Sequence, residues 1–404
     1  MFLPLRHSVV FLLWFAAAPL PAQMDPAQVD RIKPRMQQFV DSHVVAGVVT
    51  LVARRGKIVE FDAAGMADIE ARQPMRKDTI FQIMSMTKPF TAVAIMTLAE
   101  EGKLALREPI ATYLPEFQGQ RVATTAGPDA GRLGTLARPI TIRDLMSHTS
   151  GMFDAPPAEI KDYMQQMNLP LADLVRVFAR QPLLFQPGTQ WSYSSPGIDI
   201  LGRIVEVCSG ESYEAFVARR ILQPLGMKDS FFYPDAARVG RIAMVYEGGS
   251  GKLVPASAKI LGGDPARHRQ GAKYPAPAWG LHSTAEDLFH FYQMLLNGGA
   301  YGNHRLLSPF SIHLMTEVYT AGLSSAGWMG GSGYGLGWEV VTEPYGELTG
   351  SWAGTYGHGG AFGTQGWIDP KHDLIRIMLI QRSDGGTDTL RNVFMTMSAA
   401  AVTN

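Results

Sequence analysis

Apolar positions in this chain recur with two different periods, and the change of period divides it. Residues 24–42 carry Val29, Ile32, Met36, Phe39 and Val40 at helical spacing, which predicts an amphipathic helix. Residues 44–53 and 58–64 are runs of β-forming residues joined by Arg54-Arg55-Gly56-Lys57, a hairpin signal. A similar pattern returns at the far end. Residues 363–368 and 374–381 read as strands about the turn Asp369-Pro370-Lys371-His372-Asp373, and a last helix is predicted over 387–400. Between these β-rich ends the segments 171–179, 198–208, 213–222 and 284–296 read as helices separated by Pro- and Gly-rich loops. The Gly-rich, polar stretch 119–138 reads as a surface loop. The pattern predicts an α/β (α+β) chain, with one antiparallel sheet built from both termini and flanked by helices. A large, mainly helical region is inserted between its halves. The expected lobes are about 23–104 plus 331–404, and about 105–330.

The first residues differ from the rest. Arg6 and His7 precede the apolar run Val9-Val10-Phe11-Leu12-Leu13-Trp14-Phe15-Ala16-Ala17-Ala18, and small residues follow as far as Ala22. This is the pattern of a signal peptide over 1–22, cleaved before Gln23, and the run is short for a membrane span. The mature protein is expected to be exported, periplasmic or secreted, with no stable membrane association. The rival reading is a retained anchor.

Of 404 residues 46% are hydrophobic, and 36 Lys and Arg balance 36 Asp and Glu. That balance gives no electrostatic argument for a nucleic-acid partner. Cys208 is the single cysteine, so no intrachain disulfide forms, and its apolar helical setting reads as core.

The chemistry starts at Ser85-Met86-Thr87-Lys88, which heads the apolar segment running from Pro89 to Leu98. On a helix i and i+3 share a face, so the hydroxyl and the amine lie side by side. A serine needs a base to become a nucleophile, and a buried lysine can serve as one. Alone, S-x-x-K is a weak signal. A second element, Gln186-Pro187-Gly188 to Tyr193-Ser194-Ser195, is a turn that places a tyrosine before a new helix. Its phenol can share a proton with Lys88 and Ser85, acting as general base and then acid. The third element is Gly357-His358-Gly359-Gly360-Ala361-Phe362-Gly363, where dense glycines suggest an edge strand lining a cleft. There the N–H groups of Ser85 and Ala361 can form an oxyanion hole.

With these elements in this order, the chain resembles the serine hydrolases of the class C β-lactamase, penicillin-binding-protein and family VIII carboxylesterase superfamily. The similarity extends to Ile140-Thr-Ile-Arg-Asp-Leu-Met-Ser-His-Thr-Ser-Gly151, to residues 185–195 and to Pro224-Leu-Gly-Met-Lys-Asp229. The resemblance implies a β-lactamase/transpeptidase-like fold, Ser85 as nucleophile and Lys88 and Tyr193 as its proton-transfer partners. It implies Ser195, His358, Gly359 and Gly360 as substrate-binding residues.

Two departures carry information. Ser195 stands where the family has the Y-x-N asparagine, and His358 where it has the K-T-G lysine. The first removes an amide and the second a permanent positive charge, so the expected substrate is a small-molecule ester before a carboxylate-bearing β-lactam. The alternatives are a β-lactamase or D-Ala-D-Ala carboxypeptidase, and a binding or sensing protein acylated once without turnover. No cofactor and no metal is expected. His282, Glu286 and His290 are spaced at every fourth residue, but Ser283, Thr284, Glu286 and Asp287 read as a helix start that leaves His282 outside the helix.

Overall fold

The computed structural model describes residues 24–403 apart from 124–130, 158–159, 162–163, 165–166, 168, 250, 257–264 and 324–329. Residues 1–22, where a signal peptide is expected from the sequence, lie outside the described residues.

Eight strands form one antiparallel sheet. They are β1 (Gly47–Arg54), β2 (Lys57–Asp68), β3 (Gln73–Pro74), β4 (Ser332–Tyr334), β5 (Glu339–Val341), β6 (Tyr356–Gly359), β7 (Gln365–Asp369) and β8 (Leu374–Leu379), in the spatial order β4-β5-β6-β7-β8-β1-β2-β3. The two termini meet where β1 pairs with β8, from Val49 opposite Leu379 to Arg54 opposite Leu374. The hairpin β1–β2 closes through Arg55 and Gly56, both at positive φ, a turn whose twist suits the flanking strands.

Strand β1 is buried on both faces. Val48 and Val52 join Trp367, Leu374 and Met378 under Ile32, Met36 and Phe39 of the helix Ile32–Asp41 and Leu390 and Phe394 of the helix Asp388–Ala400. Val49, Leu51 and Ala53 face the larger core beneath the helices Lys88–Glu100 and Ala285–Leu296. The helix Lys88–Glu100 is buried from Lys88 to Leu98, which explains why its sequence is apolar on every side. Arg376, on β8, is fully buried, and its guanidinium donates to the carbonyls of Gly350 and Met395 and to Ser351 Oγ.

The region between the sheet's halves carries the helices Leu171–Ala179, Ser195–Ser209 and Tyr213–Val217, with short two-stranded ribbons. Several sequence expectations need correction. The helix over 24–42 is interrupted at Asp30 and Arg31, leaving Pro26–Val29 and Ile32–Asp41. The loop 119–138 contains a ribbon, Arg121–Ala123 against Leu133–Thr135. Gly363 is a turn residue at φ 83°, so the strand expected from it starts at Gln365. Cys208 is half-buried at the end of its helix.

Candidate active site

Ser85 lies in a 3-10 turn, Met84–Thr87, that runs directly into the helix Lys88–Glu100. In a 3-10 turn side chains three apart eclipse one another, so the pairing of Ser85 with Lys88 is tighter than an α-helical start would give. The turn is strained, because Met84 has φ 50°, in the left-handed region. It is held by Thr87, whose hydroxyl donates to the Met84 carbonyl at 2.7 Å and accepts from the Leu281 N–H at 3.1 Å.

Lys88 is completely buried. Its Nζ is 3.1 Å from Ser85 Oγ, 3.1 Å from the Ala278 carbonyl and 3.4 Å from Ser195 Oγ. Burial drives its pKa down to about 7, against smaller opposing contributions from Asp154 and Asp199. Near neutrality a large share of the molecules therefore carries a neutral amine beside the Ser85 hydroxyl.

Tyr193 is buried and its hydroxyl hydrogen-bonds Ser85. Lys88 Nζ lies over the ring face, 4.5 Å from its centroid. Burial raises the phenol well above its usual range, so it is a proton donor at neutral pH. Ser85 thus stands between a base and an acid. The arrangement can take a proton from the serine on one side and supply one from the other.

The third wall is β6. Its first half pairs with β5 through Tyr356 and Gly357, but that pairing ends there, whereas pairing with β7 continues to Gly359. The expected edge strand is therefore an interior strand whose last residues, His358 and Gly359, run past the end of β5 and line the cavity. The glycines are a packing requirement. A Cβ on Gly360 would lie 2.4 Å from the Ile83 carbonyl, in the strand-to-turn connection that carries Ser85. Ser85, Asp154, Tyr193, Glu339, His358, Gly359, Gly360 and Ala361 line one cavity of about 210 Å³, with Arg382, Asp388 and Arg391 at another part of its wall.

His358 lines this cavity, with its ring held by the protein itself. It is only 4% exposed and both ring nitrogens are engaged. Nδ1 lies 2.6 Å from the Gly359 carbonyl, which can only accept, so Nδ1 carries the proton. Nε2 therefore accepts from the Tyr334 hydroxyl at 3.0 Å. Burial and the nearby Lys88 hold its pKa down to about 3, so it lines the cavity as a neutral imidazole. The titration near neutrality that its type suggests is removed by desolvation. Ser195 also departs. It begins the helix Ser195–Ser209, is fully buried and turns its hydroxyl to Lys88 beneath the cavity, while its N–H donates to Asp154 Oδ1 at 2.9 Å. Ser195, expected at the substrate, is thus placed under Lys88 and is not among the residues that line the cavity.

Several residues were missed by sequence reasoning. Tyr334 comes from β4, a three-residue strand with too few positions to show alternation. Asp154 follows the quoted segment ending at Gly151 and carries no motif of its own. His148, inside that segment, accepts from the Ser194 N–H on Nδ1 at 3.2 Å, and its ring lies 4.5 Å from that of Tyr193. It braces the tyrosine loop. His282 and His290 do not converge. His282 is buried in the short strand His282–Ser283, Glu286 is exposed, and His290 Nδ1 contacts the Leu225 carbonyl at 3.0 Å.

The family model described as beta-lactamase matches residues 32–396. The chain belongs to the beta-lactamase family. Protein Rv1367c of Mycobacterium tuberculosis is 35% identical over 376 residues, covering 87% of this chain and 90% of that one. Esterase EstB of Burkholderia gladioli is 30% identical over 390 residues, covering 90% and 91% respectively. Among solved structures, EstCE1, described as a hydrolase with promiscuous acyltransferase activity, superposes with a TM-score of 0.78 at 26% identity. That match covers 93% of this chain and 99% of that one.

Proposed function

We propose that this protein is a serine hydrolase that turns over small carboxylic esters through an acyl-enzyme on Ser85. The observation that carries the reading is the buried amine of Lys88, 3.1 Å from the Ser85 hydroxyl and held near neutrality by desolvation. Neutral Lys88 takes the Ser85 proton as Oγ attacks the ester carbonyl carbon. The carbonyl oxygen becomes an oxyanion facing the N–H groups of Ser85 and Ala361. The C–O bond to the alcohol then breaks, and the alkoxide leaves with a proton returned through the Lys88–Tyr193 pair. Water repeats the sequence: its proton passes to the pair, its oxygen bonds the acyl carbon, and Ser85 departs reprotonated. Ester and water give acid and alcohol, and the site is restored.

The preference for esters is supported by the neutral His358 at the position where the family places a lysine, and by the similarity to a protein named esterase EstB. A second reading, β-lactam turnover, is favoured by Arg382 and Arg391, which bring guanidinium groups to the wall of the same cavity while pairing with Asp384 at 2.7 Å and Asp388 at 3.1 Å. Paired measurements of kcat/KM for p-nitrophenyl butyrate and nitrocefin decide between them. The ester reading expects the butyrate ester to be favoured. A single stoichiometric burst without turnover would instead support an acyl-binding protein.

Export, with cleavage of residues 1–22, and the division into an α/β lobe and a helical lobe belong to the same proposal. N-terminal sequencing of the protein recovered outside the cytoplasm tests the first. Among the described residues no helix is long and apolar enough to cross a membrane.

A further inference from the structure

The Ala278 carbonyl that receives Lys88 belongs to a tightly built loop, residues 274–281. Ala276 has φ 49°, and its carbonyl accepts from the N–H groups of Trp279 at 2.9 Å and Gly280 at 2.7 Å. A Cβ on Gly280 would lie 2.0 Å from the Pro275 carbonyl. Pro277 is seated on the helix Ser195–Ser209 at Gly202, where a Cβ would lie 2.3 Å from the proline ring, and its carbonyl accepts from Thr91 Oγ1 at 2.7 Å. One fully buried side chain grips this loop at two points. Asp199 Oδ1 accepts the Ala278 N–H at 3.0 Å, and its Oδ2 accepts the Tyr274 hydroxyl.

We propose that Asp199 is a positioning residue for the Ser85–Lys88 pair, holding the Ala278 peptide so that its carbonyl takes one N–H of the Lys88 amine. The inference rests on the reading of Lys88 as the base and adds what aims it. A neutral amine has two N–H donors and one lone pair. The Ala278 carbonyl can only accept, and the Ser195 hydroxyl accepts the second N–H at 3.4 Å. The lone pair is then left for the Ser85 proton. If the Ala278 carbonyl moves away, the amine is free to rotate and the lone pair is no longer aimed. Misplacement of reacting groups by about 1 Å costs on the order of a hundredfold in rate.

Asp199 also acts through charge, because its negative charge favours protonated Lys88. Burial raises Asp199 itself to about 7, opposed by its bonds from Tyr274 and Ala278 and by Lys88. Around the carboxyl stand Tyr213 and Tyr274, both raised by burial and protonated, and Asp154. Around the amine stand Tyr193, Asp154, His148 and His358, with the tyrosine protonated and both imidazoles neutral.

The test combines kinetics with a direct readout of Lys88, the ¹³Cε shift in lysine-labelled protein assigned with Lys88→Arg. Asp199→Asn keeps an acceptor for the Ala278 N–H and removes the charge. Lys88 should then titrate at lower pH than in wild type, with kcat at pH 8 within about threefold. Asp199→Ala removes both, and kcat should fall tenfold to about a hundredfold with KM within about twofold. Tyr274→Phe strips a donor from the carboxylate, favours its protonation and should also move Lys88 to lower pH.

A folded Asp199→Ala enzyme with wild-type kcat, or an unmoved Lys88 titration in Asp199→Asn, overturns the proposal. Should the alanine variant fail to fold, the titrations in the asparagine and phenylalanine variants decide alone. The two readings fail separately. Full activity in Lys88→Ala overturns the base assignment, whereas a fixed Lys88 titration in Asp199→Asn overturns the part given to Asp199.

Discussion

The amine of Lys88 and the hydroxyl of Ser85 lie 3.1 Å apart, three residues distant in the chain, on a 3-10 turn that eclipses their side chains. Because Lys88 is wholly buried, this contact joins the proposed nucleophile to an amine whose pKa is pushed down to about 7 from its ordinary value of 10.5.

That value sets the pH dependence. Only the neutral amine accepts the serine proton, so kcat/KM for a neutral ester should rise with pH and level off above about 7. Below that point it should fall about tenfold per pH unit. Steady-state kinetics from pH 5 to 9 check this. A limb near 10 would mean that Lys88 is not desolvated, and loss of the limb is expected in Lys88→Ala together with most of the activity.

His358 should contribute no limb in that range. Its pKa is held near 3, and its two nitrogens are committed to the Gly359 carbonyl and the Tyr334 hydroxyl. The ratio of kcat/KM for an anionic ester to that for a neutral one should stay constant within about twofold from pH 5 to 8. His358→Lys should raise that ratio by restoring a cation to the cavity wall. A ratio that climbs in wild type as pH falls through 6.5 would show that His358 titrates after all.

Much of this architecture was legible in the chain. Long periodic segments such as Leu171–Ala179 and Ala285–Leu296 coincide with observed helices, and the β1–β2 hairpin falls on its Arg55-Gly56 turn. Ser85, Lys88 and Tyr193 were named by motif, and the fold brings them together. Very short strands were not legible. In β4 and β5 three residues cannot display a period, whereas the Gly-rich β6 was read as a strand but at an edge, because glycine density does not show which strands pair beside it. Neither was the inertness of His358, because desolvation depends on residues brought in by Tyr334 and the Lys88 helix. Asp199 escaped for the opposite reason. It sits in a helix whose apolar face was obvious, and its partners are 75 and 79 residues away.

Glu60 gives a prediction about stability. This carboxyl on β2 is 7% exposed, accepts one hydrogen bond from Thr50 Oγ1 at 2.7 Å, and is raised by burial to about 7. A carboxyl whose folded pKa lies above its unfolded value of about 4.5 binds more protons when folded. It therefore destabilises the fold progressively as pH rises from about 4.5 to about 7. Glu60→Gln removes that penalty while keeping an acceptor for Thr50. Urea unfolding should find the variant more stable by about 3 kcal/mol at pH 8, with the gain vanishing toward pH 4. An equal effect at both pH values would mean that the variant acts by packing and not by charge.

The central claim is that Ser85 carries the acyl group during turnover of an ester. Rapid-quench mass spectrometry during hydrolysis of p-nitrophenyl butyrate measures this directly. One butyryl group should appear on the peptide containing Ser85, form before steady state and decay at a rate no slower than kcat, and it should be absent in Ser85→Ala. Turnover without an adduct, an adduct on another residue, or a Ser85 adduct that decays more slowly than kcat once the ester is exhausted would contradict the account.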